Sequence, residues 1–461
     1  MKVVPGDQMR NIDRISIQER GIPGEKLMEK AGRSVAFEIL ERFDPGPVVV
    51  VAGKGNNAGD GFVVARCLHE QDWPVRVVNL ADPGGLDGDA KTMYERLPGG
   101  VEQMIIEDDA EALRDALDDH EMIVDAILGT GIKGAVRGFL GEAIEVINGC
   151  RIPVVSVDIP SGLQADGGEV EGPVVNAVLT VTMGLPKLGM LIQPGVKFTG
   201  NVIVAELDFP DDLLNAPELK TNLLTERMID AFLPERPPDG HKGTFGSVIV
   251  VGGSPGMTGA PVMASRSAMR AGTGLVYCAT AEGLRSNIDV RLLEELTIAL
   301  PSANGRILDE ESLQALPAHA SRMKAMALGP GLGRASETQH FVRSVVEDIQ
   351  IPMVIDADAL NALGGHLDTL HGRSAPTVLT PHPGEMSRLT GLSTPEIQKD
   401  RIGVAKKLAT GFKVVVVLKG AQTIIATPDG EIYINPTGNT GLAKGGSGDV
   451  LTGLIAGFLA Q

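Results

Sequence analysis

Short runs rich in valine and isoleucine recur along the first half of the chain, at 47–52, 75–80, 122–128, 153–159 and 202–207, with helix-spaced apolar residues between them. Because these runs stay apolar instead of alternating with polar residues, they predict parallel strands buried on both faces. The signal returns at 247–251, 275–279, 325–328, 353–356, 377–380 and 414–418. Each block therefore predicts a three-layer α/β domain. The stretch between them, 208–246, suits neither pattern: it carries Pro210, Pro217, Pro234, Pro237 and Pro238 and ends in the turn-forming Pro238-Asp239-Gly240-His241-Lys242-Gly243. The 461 residues exceed what one hydrophobic core serves, so two domains are expected, 1–220 and 221–461. The acidic stretch 107–121, with Leu113 and Leu117 at helical spacing, predicts a helix with a solvated face.

Charge narrows the partners. A formal net charge of −18 repels a nucleic-acid backbone or an anionic membrane, so neither is expected to bind. The three cysteines, Cys67, Cys150 and Cys278, are widely spaced and form no C-x-x-C, which predicts reduced thiols, with neither a zinc site nor a disulfide framework. No apolar run approaches the ~18 residues of a spanning helix, and the first residues form no export signal. A cytoplasmic protein, forming a homo-oligomer, is expected.

In open parallel sheets ligands bind outside the carboxyl ends of strands, so polar residues just after the predicted strands are the ones to collect. The first strand leads into Gly53-Lys54-Gly55-Asn56-Asn57-Ala58-Gly59-Asp60-Gly61, ahead of a helix expected near Phe62. The third ends at Asp125 and leads through Gly129-Thr130-Gly131-Ile132-Lys133-Gly134-Ala135. The fourth ends at Asp158, before Ile159-Pro160-Ser161-Gly162. One glycine-rich turn also arises where helix and sheet simply pack closely; three on one edge, two with a strand-terminal Asp, point to a site. Asn57, Asp125 and Ser161 offer hard oxygen ligands, which suit an alkali or alkaline-earth ion rather than zinc. The loops offer backbone N–H groups to phosphates, and Asp158 remains as a base facing bound substrate.

These motifs resemble the NAD(P)H-hydrate epimerase domain, over roughly residues 1–215, which implies a Rossmann-like parallel sheet. The resemblance implies that Asn56, Asn57, Ala58, Gly59, Asp60, Gly129, Thr130, Gly131, Ile132, Lys133, Gly134, Ala135 and Asp158 contact the damaged nicotinamide nucleotide, NADHX or NADPHX. It implies that Asn57, Asp125 and Ser161 hold K⁺. Ala58 stands where the family usually has glycine; at a position needing positive φ it would strain the loop by roughly 1 kcal/mol.

The last segment concentrates the second chemistry. Gly445-Gly446-Ser447-Gly448-Asp449 runs into an apolar helical pattern, so freed N–H groups and the positive end of a helix dipole can surround a phosphate. A carboxylate there either caps the helix or accepts the proton of an attacking hydroxyl. Asp356 and Asp358 could meet Mg²⁺ through water or cap a helix near Ala359, with capping expected of Asp358. The lack of bulk at Ala260 and Gly331 would let a flat ring approach the backbone.

Together with His241-Lys242-Gly243-Thr244-Phe245-Gly246, Gly329-Pro330-Gly331-Leu332-Gly333, Asp356-Ala357-Asp358-Ala359-Leu360, Thr380-Pro381-His382-Pro383-Gly384-Glu385 and Lys419-Gly420-Ala421-Gln422-Thr423, this segment resembles the ribokinase-like superfamily. More narrowly, it is similar to the ADP- or ATP-dependent NAD(P)H-hydrate dehydratase. The resemblance implies that Ala260, Gly331, His382 and Asp449 contact substrate, that Lys419, Gly420, Ala421, Gln422, Thr423 and Gly448 contact the nucleotide, and that Asp449 is the base. Related domains continue for several segments past the helix in which Gln461 falls, so either the chain is cut short there or this member has lost its final elements. The expected function is bifunctional repair: epimerisation of NAD(P)HX, and its nucleotide-dependent dehydration with K⁺, Mg²⁺ and ADP or ATP. Two alternatives stand beside it. One is a vitamin-precursor or sugar kinase with an accessory first domain; the other is a non-catalytic binding role for that domain.

Overall fold

The computed structural model describes residues 1–168 and 170–461. The chain forms two compact units, Met1–Thr221 and Asn222–Gln461. The first sheet has strands β1 (Val48–Ala52), β2 (Val75–Asn79), β3 (Glu102–Ile105), β4 (Met122–Ala126), β5 (Val154–Val157), β6 (Leu179–Met183) and β7 (Asn201–Ala205). All run parallel, in the order β3-β2-β1-β4-β5-β6-β7. Strand β1 shows why the sequence reads as continuously apolar. Val48, Val50 and Ala52 join the core under helices Gly24–Arg42 and Asn56–His69, whereas Val49 and Val51 join the one under Ala110–Asp118 and Phe139–Gly149. A sheet walled on both faces has no side on which polar residues could alternate. This is the Rossmann-like arrangement, and strand order reverses between β1 and β4, opening a crevice at their carboxyl ends.

The second sheet has strands β8 (Thr221–Leu223), β9 (Ser247–Val251), β10 (Leu275–Ala281), β11 (Leu296–Leu300), β12 (Ala325–Leu328), β13 (Met353–Ile355), β14 (Thr377–Leu379), β15 (Val415–Leu418), β16 (Thr423–Ala426) and β17 (Ile432–Asn435). Their order is β11-β10-β9-β12-β13-β14-β15-β16-β17-β8. Strands β11 to β15 pair in parallel, while β15, β16 and β17 form an antiparallel meander. Here too order reverses between the first long strand, β9, and β12. The segment 208–246, read as turn chemistry, in fact contains β8 and the helix Glu226–Phe232.

Two expectations about helix starts are corrected. The helix placed near Phe62 begins at Asn56, so Asn56, Asn57, Ala58, Gly59 and Asp60 form its first turns instead of a loop. Ala58 is fully buried in that helix and is not among the residues with positive φ, so the anticipated strain does not arise. The glycines serve close packing: a side chain on Gly59 would strike Met28 and Ala90, and one on Gly61 would strike Ala126. Asp358 does not cap the helix Ala357–Leu363. Asp356 occupies the N-cap position without a capping bond, while Asp358 accepts the Gly333 N–H at 2.8 Å.

The helix Ser447–Ala460, which carries Asp449, lies against helix Gly259–Arg270 through Gly453 and Gly457. A methyl at Gly453 would collide with the Ala264 carbonyl and the Ser267 hydroxyl. On an open helix, Gly→Ala stabilises by about 1 kcal/mol. At this contact overpacking costs ~1–3 kcal/mol and wins. Gly453→Ala is therefore expected to speed hydrogen exchange across 447–460, and slower exchange there would contradict the close approach.

Candidate active sites

Strands β1, β4 and β5 are neighbours, so the segments leaving their carboxyl ends meet. Asp125, near the end of β4, is fully buried, and its carboxylate accepts from the Ser161 hydroxyl at 2.5 Å, the Ser161 N–H at 2.8 Å, the Ser156 hydroxyl at 2.8 Å and the Ile127 N–H at 3.3 Å. Burial pushes this carboxyl above its ordinary value, against the opposing pull of those hydrogen bonds. Asn57 and Ser161 both lie beside the Leu128 carbonyl, the Asn57 amide donating to it at 3.2 Å and the Ser161 hydroxyl within 3.2 Å. Of the three side chains singled out as ion ligands, Asn57 and Ser161 thus meet at one carbonyl oxygen, and Asp125 joins them through Ser161. Among the described residues no three His, Cys, Asp or Glu side chains are placed to hold a metal together.

Asp158 follows β5 with φ +66°, a left-handed conformation that aspartate tolerates better than bulkier residues. Every hydrogen bond it accepts within the described residues falls on one oxygen. Oδ1 takes the Met183 N–H at 3.0 Å, the Thr182 hydroxyl at 3.3 Å and the ammonium of Lys187. Lys187 is fully buried and spends its remaining donors on the Thr182 hydroxyl at 2.9 Å and the Met183 carbonyl at 3.0 Å. Oδ2 is left for whatever enters the cavity.

That cavity, of about 700 Å³, is lined by Asn56, Asn57, Asp60, Gly129, Thr130, Gly131 and Asp158. Arg10, Asp13, Lys54, Asp89, Glu107, Arg137 and Lys187 supply its other charged walls. Ala58 and Gly59 face the packed interior instead, and Ile132, Lys133, Gly134 and Ala135 are not part of the lining. Asp13, Lys187 and Arg10 were not singled out in the sequence. Lys187 follows β6, whose alternating Leu-Thr-Val-Thr-Met gave no buried-strand signal, so nothing marked it as a strand-end residue.

In the second unit the polar residues come from the ends of β12 to β15 and from the glycine-rich helix start. Asp356, almost fully buried after β13, binds Lys419 Nζ through Oδ1 at 2.9 Å and the Thr452 hydroxyl through Oδ2 at 2.6 Å. Lys419, after β15, also lies 3.6 Å from Glu385, whose carboxylate closes a capping box with His382. His382 accepts the Gly384 and Glu385 N–H groups at 3.0 and 3.3 Å through Nδ1, which leaves Nε2 to carry the proton. A Cβ built on Gly448 would lie 3.5 Å from Lys419 Nζ, so lysine and helix N-terminus face one spot. Asp449, in the first turn and half-buried, has no hydrogen bond to its carboxylate among the described residues. Burial first, then Asp356, pushes it up to about 6, with Lys419 opposing. Gly331, with φ +64°, stacks on Ala260, where a side chain would strike the Met257 carbonyl. Gly420 lies against the Arg401 guanidinium and Thr423 bonds back to the Gly420 carbonyl at 2.9 Å; Ala421 and Gln422, the latter at φ +50°, complete that turn. Thr452 is a member the sequence did not mark, and Glu385, quoted there as the end of a motif, had been given no role.

Family models match both halves: one described as YjeF-related protein N-terminus over residues 24–189, the other as NAD(P)H-hydrate dehydratase over residues 248–461. Full-length relatives agree. The chain is 42% identical to the bifunctional NAD(P)H-hydrate repair enzyme of Moorella thermoacetica, over all of this chain and 88% of that protein. It is 40% identical to the enzyme of that name from Thermofilum pendens, over 99% and 87% of the two chains. The chain belongs to the family of bifunctional NAD(P)H-hydrate repair enzymes. A solved Bacillus subtilis ADP/ATP-dependent NAD(P)H-hydrate dehydratase, co-crystallised with ATP and Mg²⁺, is 36% identical over 52% of this chain and 82% of its own, with a TM-score of 0.44. In this family member no described helix is long and apolar enough to cross a membrane.

Removing one partner of a buried ion pair strands the other charge, at about 3–5 kcal/mol. Lys187→Met is expected to destabilise the first unit by that amount. The single tryptophan, Trp73, is buried in the first unit's core and reports on that unit alone. Denaturant titration followed by its fluorescence measures the loss, and a change under about 1 kcal/mol would show that Lys187 does not carry the charge of Asp158.

Proposed function

We propose that the first unit interconverts the (R) and (S) epimers of NAD(P)HX and that the second dehydrates the (S) epimer, with ADP or ATP as phosphoryl donor. The observation that carries this reading is the free carboxylate of Asp449 at a helix N-terminus, beside an ammonium already fixed by Asp356. Hydroxide is a poor leaving group, and NAD(P)H hydrated at ring carbon 6 carries a hydroxyl there. Asp449 takes the hydroxyl proton, the first-turn N–H groups and Lys419 stabilise the transferring phosphoryl group, and departure of phosphate from carbon 6 with loss of a proton from carbon 5 restores the dihydronicotinamide. Ala260, Gly331 and His382 border the substrate, and the turn from Lys419 to Thr423, with Gly448, borders the nucleotide. Asp356, whose two oxygens already accept from Lys419 and Thr452, or Asp358 would help to hold the Mg²⁺ that accompanies a nucleotide, and the ion would offset charge on the phosphates.

In the first unit Asp158 Oδ2 is the base. Asn56, Asn57, Asp60, Gly129, Thr130 and Gly131 supply the walls that hold the nucleotide. Asp125 is a buried carboxylate whose partners are all neutral, and Asn57, Ser161 and the Leu128 carbonyl add hard oxygens, a set that fits K⁺ better than a divalent ion. The ion would offset the Asp125 charge and fix the loop after β4. Thallium(I) in place of potassium should give an anomalous peak among these oxygens; a peak elsewhere only would remove K⁺ from this site.

Asp449→Asn is expected to lower nucleotide-dependent NADH recovery by ~10²–10⁴-fold while epimers still interconvert. Asp158→Asn should do the reverse. For the unaltered chain, kcat/KM of dehydration should rise with pH through about 6, because the base works only when deprotonated and burial holds Asp449 there. Recovered absorbance of NADH, released phosphate and chromatography of the epimers read all three. A stable phosphorylated small molecule in place of phosphate and NADH would favour the kinase alternative.

A further inference from the structure

We propose that Asp60 is the proton donor of the epimerase site, working together with Asp158 in the lining of the same cavity. The inference rests on the epimerase reading above. Of the five carboxyls that line this cavity, three from separate elements act on one another: Asp13 of helix Gly6–Gln18, Asp60 of helix Asn56–His69, and Asp158 after β5. Its one buried ammonium, Lys187, is spent on Asp158 Oδ1, Thr182 and Met183. Arg10 is committed to the Thr130 carbonyl at 2.6 Å. The Asp60 carboxyl has neither a hydrogen bond nor an ion pair among the described residues, and the charged groups facing it are Asp158, Asp13 and Lys187, with Asp89 acting on Asp13. Like charges so placed cannot all ionise cheaply. Burial, then Asp158 and Asp13, push Asp60 well above its ordinary value, which favours its protonated form, while Lys187 pairs with Asp158.

The two carboxyls differ in the way an epimerisation needs. Carbon 6 of NAD(P)HX bears both the hydroxyl and ring nitrogen 1. Asp60 gives its proton to that hydroxyl; the C6–O bond breaks with its electron pair leaving on water, while the nitrogen lone pair forms an N1=C6 double bond. A solvent water then adds to the opposite face of C6, the double-bond pair returns to nitrogen, and the water's proton passes to Asp158 Oδ2. From the other epimer the two carboxyls exchange parts, so no net proton is consumed.

The test uses the full chain without nucleotide, which silences dehydration, and follows interconversion of purified (S)-NADHX by chromatography. Asp60→Asn is expected to lower kcat at least 10²-fold with KM within about threefold, while (S)-NADHX dehydration, once nucleotide is added, stays at the unaltered rate and reports an intact chain. Asp13→Asn retains the donor but removes a neighbouring negative charge, so Asp60 gives up its proton at lower pH and the alkaline limb of the pH–rate profile moves down. A kcat for Asp60→Asn within tenfold of the unaltered chain, an effect on KM alone, or an alkaline limb unmoved by Asp13→Asn would each overturn the donor role. No interconversion by the unaltered chain would overturn the epimerase reading itself.

Discussion

A carboxylate taken out of water at the end of a strand must be compensated, and both sites are organised by how this is done. Leaving such a charge unpaired costs several kcal/mol, enough to dictate where loops run. Asp125 is compensated by four neutral donors, Asp158 by Lys187, and Asp356 by Lys419 with Thr452. Each solution joins residues far apart in sequence and so ties together the ends of strands that lie side by side or with one strand between them. Lys187 after β6 grips Asp158 after β5, and Lys419 after β15 reaches Asp356 after β13. The groups left uncompensated, Asp158 Oδ2, Asp60 and Asp449, are the ones assigned work on substrate.

Parallel order makes such gatherings available. When all strands of a sheet point one way, their carboxyl ends form a single edge, and where strand order reverses two of the segments diverge to leave a crevice. Glycine then has two different uses along that edge. Around Gly59, Gly61 and Gly453 it lets a helix approach sheet or helix backbone closely, whereas around Gly448 it leaves room for the Lys419 ammonium at the helix start.

What the sequence made legible follows from the same physics. Strands walled on both faces, such as β1, β4, β9 and β12, are continuous apolar runs and stand out. Strand β3 is largely exposed, β6 alternates with threonine, and β16 and β17 belong to an antiparallel meander, so each lacked that signal. The cost of missing β6 was Lys187, a residue that makes sense only once its strand is known to lie beside β5. Asn57, Asp125 and Ser161 could be grouped beforehand because strand-end residues on one parallel edge must converge. Pairings across chain distance, Asp356 with Thr452 or Lys419 with Glu385, leave no local trace. The start of the helix at Asn56 was hidden because its glycines resemble a loop when the helix they pack against is unseen.

One chain thus holds two complementary chemistries. Purified (R)-NADHX with excess ADP or ATP tests it directly, through the absorbance of NADH regained. Complete recovery is expected, faster than the spontaneous interconversion of the epimers allows. Recovery no faster than that spontaneous rate would contradict it.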